Sequence, residues 1–135
     1  MIRLAGCVIT DEKGRVLLLH RNNGKHSQWE IPGGKIDDGE SAKQAAKREI
    51  KEELGVDVAI QEKIGEKEFQ MDGKDFHYTW FTAKITDGKP KIAEPETFDN
   101  LKYFPPGQMR QIYDELSLNT QNFLNAQGGG NLRPA

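Results

Sequence analysis

Three glutamates, Glu49, Glu52 and Glu53, stand at positions i, i+3 and i+4 of the stretch SAKQAAKREIKEELG. On a helix these positions share a face, where three carboxylates repel one another unless lysines and water relieve them or something strongly positive sits above. A cluster of hard oxygen ligands suits Mg²⁺, which usually keeps several waters and shares its shell with substrate phosphates. Bringing water to the anionic phosphorus of a diphosphate needs such a cation, which neutralises oxygens, orients the chain and lowers the pKa of water. Taken alone, KREIKEE is more often a solvated face, with Arg48 pairing to Glu52. The surrounding residues must decide.

Ser41 can cap the helix and Gly55 can end it as a left-handed residue, while Ala42, Ala46, Ile50 and Leu54 make a stripe spaced by four. At about 100° per residue, Glu49 and Glu53 fall beside the Ala46 edge of that stripe, and Lys47 and Lys51 fall on the outer side. Carboxylates bordering a buried face are unusual for residues present only for solubility. Before the helix, IRLAGCVIT and RVLLLHR flank the turn DEKG and read as a hairpin, NNGKHSQ as a loop, and WEI as a short strand stopped by Pro32-Gly33-Gly34. After it, VDVAIQEKIGEKEFQ and FHYTWFTAKIT read as two strands joined at MDGKD. DGKPKIAEPE reads as a loop and LKYF as a strand. PPGQMRQIYDELS opens with prolines suited to a helix start, and NTQNFLNAQ reads as a second short helix. The tail GGGNLRPA is expected to be flexible.

The spacing Gly34, five residues, Glu40, seven residues, Arg48-Glu49-Ile50, one residue, Glu52-Glu53, one residue, Gly55-Val56 resembles the Nudix hydrolase signature at every defined position. The match is far more specific than a lone glycine motif. The resemblance spans roughly residues 2 to 126 and implies an α/β fold, the Nudix α/β/α sandwich, with a mixed central sheet and a loop-helix-loop catalytic motif. It implies that Glu49, Glu52 and Glu53 are metal ligands, Glu49 and Glu53 the closest, with Glu52 a ligand or the general base and the Gly34 carbonyl a further ligand. The cofactor that the resemblance implies is Mg²⁺, with Mn²⁺ as a substitute. Gly33 and Gly34 would shape the site against the substrate, and Glu40 and Arg48 would orient loop and helix rather than touch it. Arg21 matches an arginine that reaches substrate phosphates in similar enzymes, in keeping with bidentate recognition by guanidinium; a surface salt bridge is the alternative. In AEPETFD, Glu96 would bring a carboxylate from outside the box to the metal, with Glu94 in reserve.

The stretch from FHYTWF to LKYFP looks like the back half of Nudix enzymes acting on nucleoside triphosphates, although LKYF stands where many relatives carry tryptophan. Residues 57–74 hold neither the proline typical of ADP-ribose subgroups nor the tyrosine of dinucleoside-polyphosphate subgroups. The expected reaction is hydrolysis of a nucleoside triphosphate, normal or damaged, to monophosphate and pyrophosphate. The rivals are hydrolysis of another nucleoside diphosphate-linked compound (a nucleotide sugar, ADP-ribose or a dinucleoside polyphosphate) and nucleotide binding without turnover. The last is disfavoured because domains of that kind commonly lose box carboxylates, and all are present here. His20, His26 and His77 lack metal-ligand spacing and read as surface or strand residues. Trp29, Trp80, Phe76 and Tyr78 read as core.

A length of 135 residues with 36% hydrophobic side chains suits one domain, expected over residues 1–127, with 128–135 as the tail. Nineteen basic against 21 acidic side chains, a formal charge of −2, and the lack of any basic run argue against a nucleic-acid partner. The single Cys7 excludes an internal disulfide and a cysteine-built metal site. No stretch approaches the roughly 18 apolar residues of a membrane span, and the start lacks a secretory leader, so a cytoplasmic location is expected. The expected partner is a small-molecule nucleotide, not a membrane, and a homodimer stays open.

Overall fold

The computed structural model describes residues 1–127; the tail expected to be flexible, 128–135, lies outside them. The strands are β1 Ile2–Ile9, β2 Val16–Asn22, β3 Ser27–Glu30, β4 Gly33–Lys35, β5 Asp57–Met71, β6 Lys74–Asp87 and β7 Phe98–Phe104. The helices are α1 Ala42–Leu54, α2 Pro106–Gln111 and α3 Leu118–Ala126. One sheet runs in the order β4-β1-β6-β5 and a second in the order β3-β2-β7. The first is mixed, since β1 lies parallel to β6 and antiparallel to β4.

The expected β1–β2 hairpin does not form. Its turn is present, with the Asp11 side chain accepting the Lys13 and Arg15 N–H groups at 3.0 and 2.9 Å, but only Thr10 and Val16 bridge across it. Both strands are apolar on both faces. Ala5, Cys7, Ile9, Leu17 and Leu19 feed one core, and Val8, Val16 and Leu18 feed the other. Strands covered on two sides sit most favourably inside sheets, and each takes two ladder partners of its own.

The two cores make the layers of an α/β/α sandwich. The first buries Ala45, Ala46, Ile50 and Leu54 of α1 against the sheets, and the second gathers Trp80, Phe104, Met109, Phe123 and Leu124 under α2 and α3. α1 begins in a capping box, the Ser41 hydroxyl accepting the Gln44 N–H while the Gln44 side chain accepts the Ser41 N–H. It ends at Gly55, whose φ of 71° lies in the left-handed region and whose N–H reaches the Lys51 carbonyl. Both ends match the sequence reading. β5 and β6 form the expected hairpin through Asp72 and Gly73, both at positive φ, as a tight hairpin turn demands. The helix expected from Pro105 is shorter than its sequence suggests. α2 stops at Gln111 and a 3₁₀ turn, Tyr113–Glu115, precedes α3.

Candidate active site

β4 was not expected as a strand, since Pro32-Gly33-Gly34 reads as punctuation. It pairs along β1 as Gly6 with Gly33, Ala5 with Gly34 and Leu4 with Lys35. Successive residues of a strand face opposite sides, and the two glycines use both. A Cβ on Gly34 would lie within 2.7 Å of the Glu49 carboxylate on α1, whereas one on Gly33 would strike the Tyr78 hydroxyl on the other side. Gly33 is required by the close approach of backbone as well, Ala5 O and Gly6 Cα, whereas Gly34 makes room for the Glu49 side chain alone.

The backbone of β4 carries a second distinction. Cys7 donates to the Pro32 carbonyl and Ile36 to the Arg3 carbonyl, so the alternating antiparallel pattern makes Ala5–Gly34 a hydrogen-bonded pair and leaves Gly33 and Lys35 turned to the free edge. There the Gly33 N–H donates to Glu53 Oε1 at 2.9 Å, and the Lys35 carbonyl accepts Arg48 Nη2 at 2.9 Å. This register bears on the Gly34 carbonyl, expected as the backbone ligand. Gly34 points its carbonyl into the ladder, and the carbonyl on the carboxylate side belongs to Gly33.

Glu53 is buried, 5% exposed. Burial, then Glu49 and Glu30, push its carboxyl well above the usual range, and the Gly33 N–H only partly opposes them. Glu49 is also pushed up by burial, against the pull of Arg48. Arg48 is the hub of the helix face. It grips Glu40 with two bonds of 2.8 and 2.9 Å, reaches Glu49 at 3.0 Å and Glu52 at 3.2 Å, and pairs with Asp37. The Glu40 bond, first among several, raises the Arg48 pKa, and Arg48 in turn lowers that of Glu40. Glu52 is the outermost of the three box glutamates, its side chain half exposed.

Buried carboxylates facing one another are costly without a cation or a proton between them, and this oxygen-only donor set fits a hard divalent ion. Among the described residues no group of three or more acidic, histidine or cysteine side chains is arranged to hold a metal ion by itself. Water and substrate oxygens would complete the shell.

Arg21 does not extend freely towards solvent. Its guanidinium forks onto Glu30 at 3.0 and 2.8 Å and lies 4.9 Å over the Phe98 ring. Sequence reasoning missed Glu30. Its signal was the strand period, because Glu30 pairs with Leu19, two residues from Arg21 on the same face of β2. Outside the box, the Lys91 and Ala93 N–H groups donate to the Leu54 and Glu53 carbonyls, which strap this loop to the end of α1. Glu94 follows directly and its charge acts on Glu49, Glu53 and Arg21. Glu96 is exposed, two residues further along the turn. The charge of Glu94, the reserve residue, thus acts on the cluster, while Glu96, the favoured one, faces solvent.

Beside this edge opens a cavity of about 390 Å³, lined by Arg21, Glu30, Gly33 and Gly34 at one end and by Leu4, Phe69, Phe76 and Leu118 elsewhere. Phe69 and Phe76 stack with centroids 5.3 Å apart, and the Trp80 indole donates to Asn119 Oδ1 at 3.2 Å on its wall. Phe76 and Tyr78, read from sequence as core, both line it, while Trp80 is fully buried. His26 is exposed on its rim. His20 and His77 lie on strands as expected.

A carboxylate-bearing helix packed against the free edge of a diglycine strand, within an α/β/α sandwich, defines a hydrolase site for phosphorus anhydrides. The NUDIX domain family matches residues 2–124, and the chain belongs to that family, as an enzyme. The 8-oxo-dGTP diphosphatase of Haemophilus influenzae is 31% identical over 134 residues, covering 92% of this chain and 97% of that protein. A Bacillus subtilis relative is 35% identical over 76% of this chain, which spans 65% of that protein's length, just under two thirds. The crystal structure of a MutT NUDIX hydrolase from Burkholderia pseudomallei superposes with a TM-score of 0.74 at 26% identity, over 93% of this chain and 96% of that one. Among the described residues no helix is long and apolar enough to cross a membrane.

Proposed function

We propose that this enzyme is a Mg²⁺-dependent pyrophosphohydrolase that converts a nucleoside triphosphate to the monophosphate and pyrophosphate, with an oxidised guanine nucleotide the first substrate to test. The observation that carries the reading is the Glu53 carboxylate, buried beside Glu49 and held by the N–H of Gly33, a residue that lines the polar end of a cavity whose other end is aromatic. One end suits phosphates and their cation, the other a base. The 8-oxo-dGTP diphosphatase activity of the Haemophilus relative, which covers nearly the whole chain, supports the choice of base.

Glu49, Glu53 and the Gly33 carbonyl would hold the metal, with Mn²⁺ able to replace Mg²⁺. The bound cation supplies neutralisation of phosphate oxygens and a lower pKa for the attacking water. Glu52 serves as a further ligand or accepts the proton of that water, kept in place by Arg48. Arg21, aligned by Glu30, offers its remaining donors to phosphate oxygens at the cavity end. Asn119, its amide oxygen tied to Trp80, leaves amide donors for a carbonyl of the base.

Chromatography of the products from pure triphosphates, with and without Mg²⁺, tests the reading. Monophosphate and pyrophosphate are expected only with the metal. Accumulation of the diphosphate would replace the proposed cut by a phosphatase-like one, and turnover confined to nucleotide sugars or dinucleoside polyphosphates would replace the substrate.

A further inference from the structure

Tyr78 is 5% exposed, and a buried phenol normally gives its O–H a partner. Among the described residues this one has none. The hydroxyl is nevertheless not sealed, because among the described residues the one fully enclosed side-chain polar atom without a partner is Asn122 Nδ2. Tyr78 lines the cavity shared by Arg21, Glu30 and Gly33, so its oxygen opens there.

The fold makes deliberate room for that oxygen. Tyr78 stands on β6 opposite Leu4 of β1, and β4 is the next strand beyond. Its ring crosses β1 at Gly6 to reach Gly33, and a Cβ on either glycine would collide with the hydroxyl. Phenylalanine would fill the rest of the space equally well, so packing alone does not explain the oxygen.

Position along the strand assigns it a ligand. Phe76, Tyr78 and Trp80 follow one another on one face of β6. Phe76 stacks on Phe69 near the exposed Met71 and Leu118, whereas Trp80 is sealed against Phe123. The hydroxyl stands beside Gly33, whose N–H holds Glu53. With a base at the Phe69–Phe76 pair and phosphates at Glu53, the span between them is the sugar and its link to the first phosphate.

We propose that Tyr78 is a substrate-binding residue whose phenol donates a hydrogen bond to an oxygen at the junction of the sugar and the α-phosphate, in the slot cleared by Gly6 and Gly33. The assignment rests on the nucleotide reading of the site.

The test is Tyr78→Phe in the full chain, with calorimetric binding of 2′-deoxyguanosine monophosphate and, separately, inorganic pyrophosphate in the presence of Mg²⁺. Loss of one neutral hydrogen bond is expected to weaken monophosphate binding about fivefold. Pyrophosphate affinity and the melting temperature should stay unchanged. Monophosphate binding within twofold of the parent chain, or an equal loss for both ligands, overturns the role of Tyr78 while leaving the proposed function standing. A parent chain that binds pyrophosphate but no nucleoside monophosphate overturns the nucleotide reading itself, and this assignment with it.

Discussion

Gly33 N–H and Glu53 Oε1, 2.9 Å apart, join the free edge of β4 to the last turn of α1. That bond is the one hydrogen bond to the Glu53 carboxylate among the described residues, and Glu49 and Glu30 face it as like charges. Glu53→Gln preserves shape and the acceptor oxygen while deleting a ligand charge. Turnover should drop at least about 100-fold, with no loss of melting temperature in metal-free buffer, because a repulsive buried charge has gone. Lys47→Gln, on the exposed side of α1, should leave kcat within about twofold. A Glu53→Gln enzyme with near-normal kcat at saturating Mg²⁺ would remove Glu53 from the ligand set.

The same burial sets a pH dependence. The folded pKa of Glu53 is raised by burial first and by Glu49 and Glu30 next, so the folded chain binds more protons than the unfolded one above the ordinary carboxylate value of 4.5. Its contribution to stability is complete below that value and declines as pH rises through the folded pKa. Denaturant melts of the chelator-treated protein should therefore show a downward slope across this window that is shallower in Glu53→Gln. An equal slope in both proteins would show that Glu53 is not the group responsible.

The box glutamates and both ends of α1 were legible because they are local. Capping depends on residues a few positions apart, and the carboxylate face depends on helical period alone. What escaped depends on neighbours distant in the chain. The hairpin expected for residues 2–21 fails because β1 finds β6, some seventy positions later, and no local feature competes with a strand that is apolar on both faces. That the Gly34 carbonyl turns into the ladder and the Gly33 carbonyl to the free edge follows only once β4 is known to pair with β1. The placement of Glu30 beside Arg21 and of Tyr78 opposite Leu4 depends on cross-strand register in the same way. The choice between Glu94 and Glu96 turned on two backbone bonds from the loop to the end of α1, which no spacing argument contains.

Gly34 offers a test of close packing separate from charge. Its φ is not positive, and the obstacle to a Cβ is the Glu49 carboxylate, with atoms at 2.5 to 2.7 Å. A side chain can swing away, so Gly34→Ala should fold with a melting temperature near that of the parent, yet lose activity at least about tenfold as Glu49 is displaced. Gly107→Ala, in α2 with nothing within 4 Å, should retain full activity and gain about 0.5–1 kcal/mol from helix propensity. If Gly34→Ala is fully active, Glu49 does not need its present position.

Arg48 and Glu40 should behave as a unit. The guanidinium fork spans Glu40 at 2.8 and 2.9 Å while also holding Glu49, Glu52 and the Lys35 carbonyl, a geometry that an ammonium group does not reproduce. Arg48→Lys and Glu40→Gln are each expected to lower kcat about tenfold, and the double variant should be little worse than either single one. Additive losses in this cycle would mean that the two residues act separately.

The loop strapped to α1 gives the sharpest contrast between neighbours. The Ala93 N–H donates to the Glu53 carbonyl at 3.1 Å, so Glu94 leaves the backbone beside the buried glutamates. The Glu94 carbonyl then accepts the Thr97 and Phe98 N–H groups, both at 3.0 Å, which turns the chain and leaves Glu96 exposed. On the proposed reading, a carboxylate acting on the metal or on the attacking water is expected from the first of these. Glu94→Gln should lower kcat at least about tenfold, roughly 1.4 kcal/mol of barrier, with little change in melting temperature, while Glu96→Gln should match the parent enzyme. Steady-state kinetics of the two variants at saturating Mg²⁺ decide between them. A loss in Glu96→Gln alone would restore the order expected from sequence, and unchanged rates in both would leave Glu49, Glu52 and Glu53 to supply the base without help from outside the box.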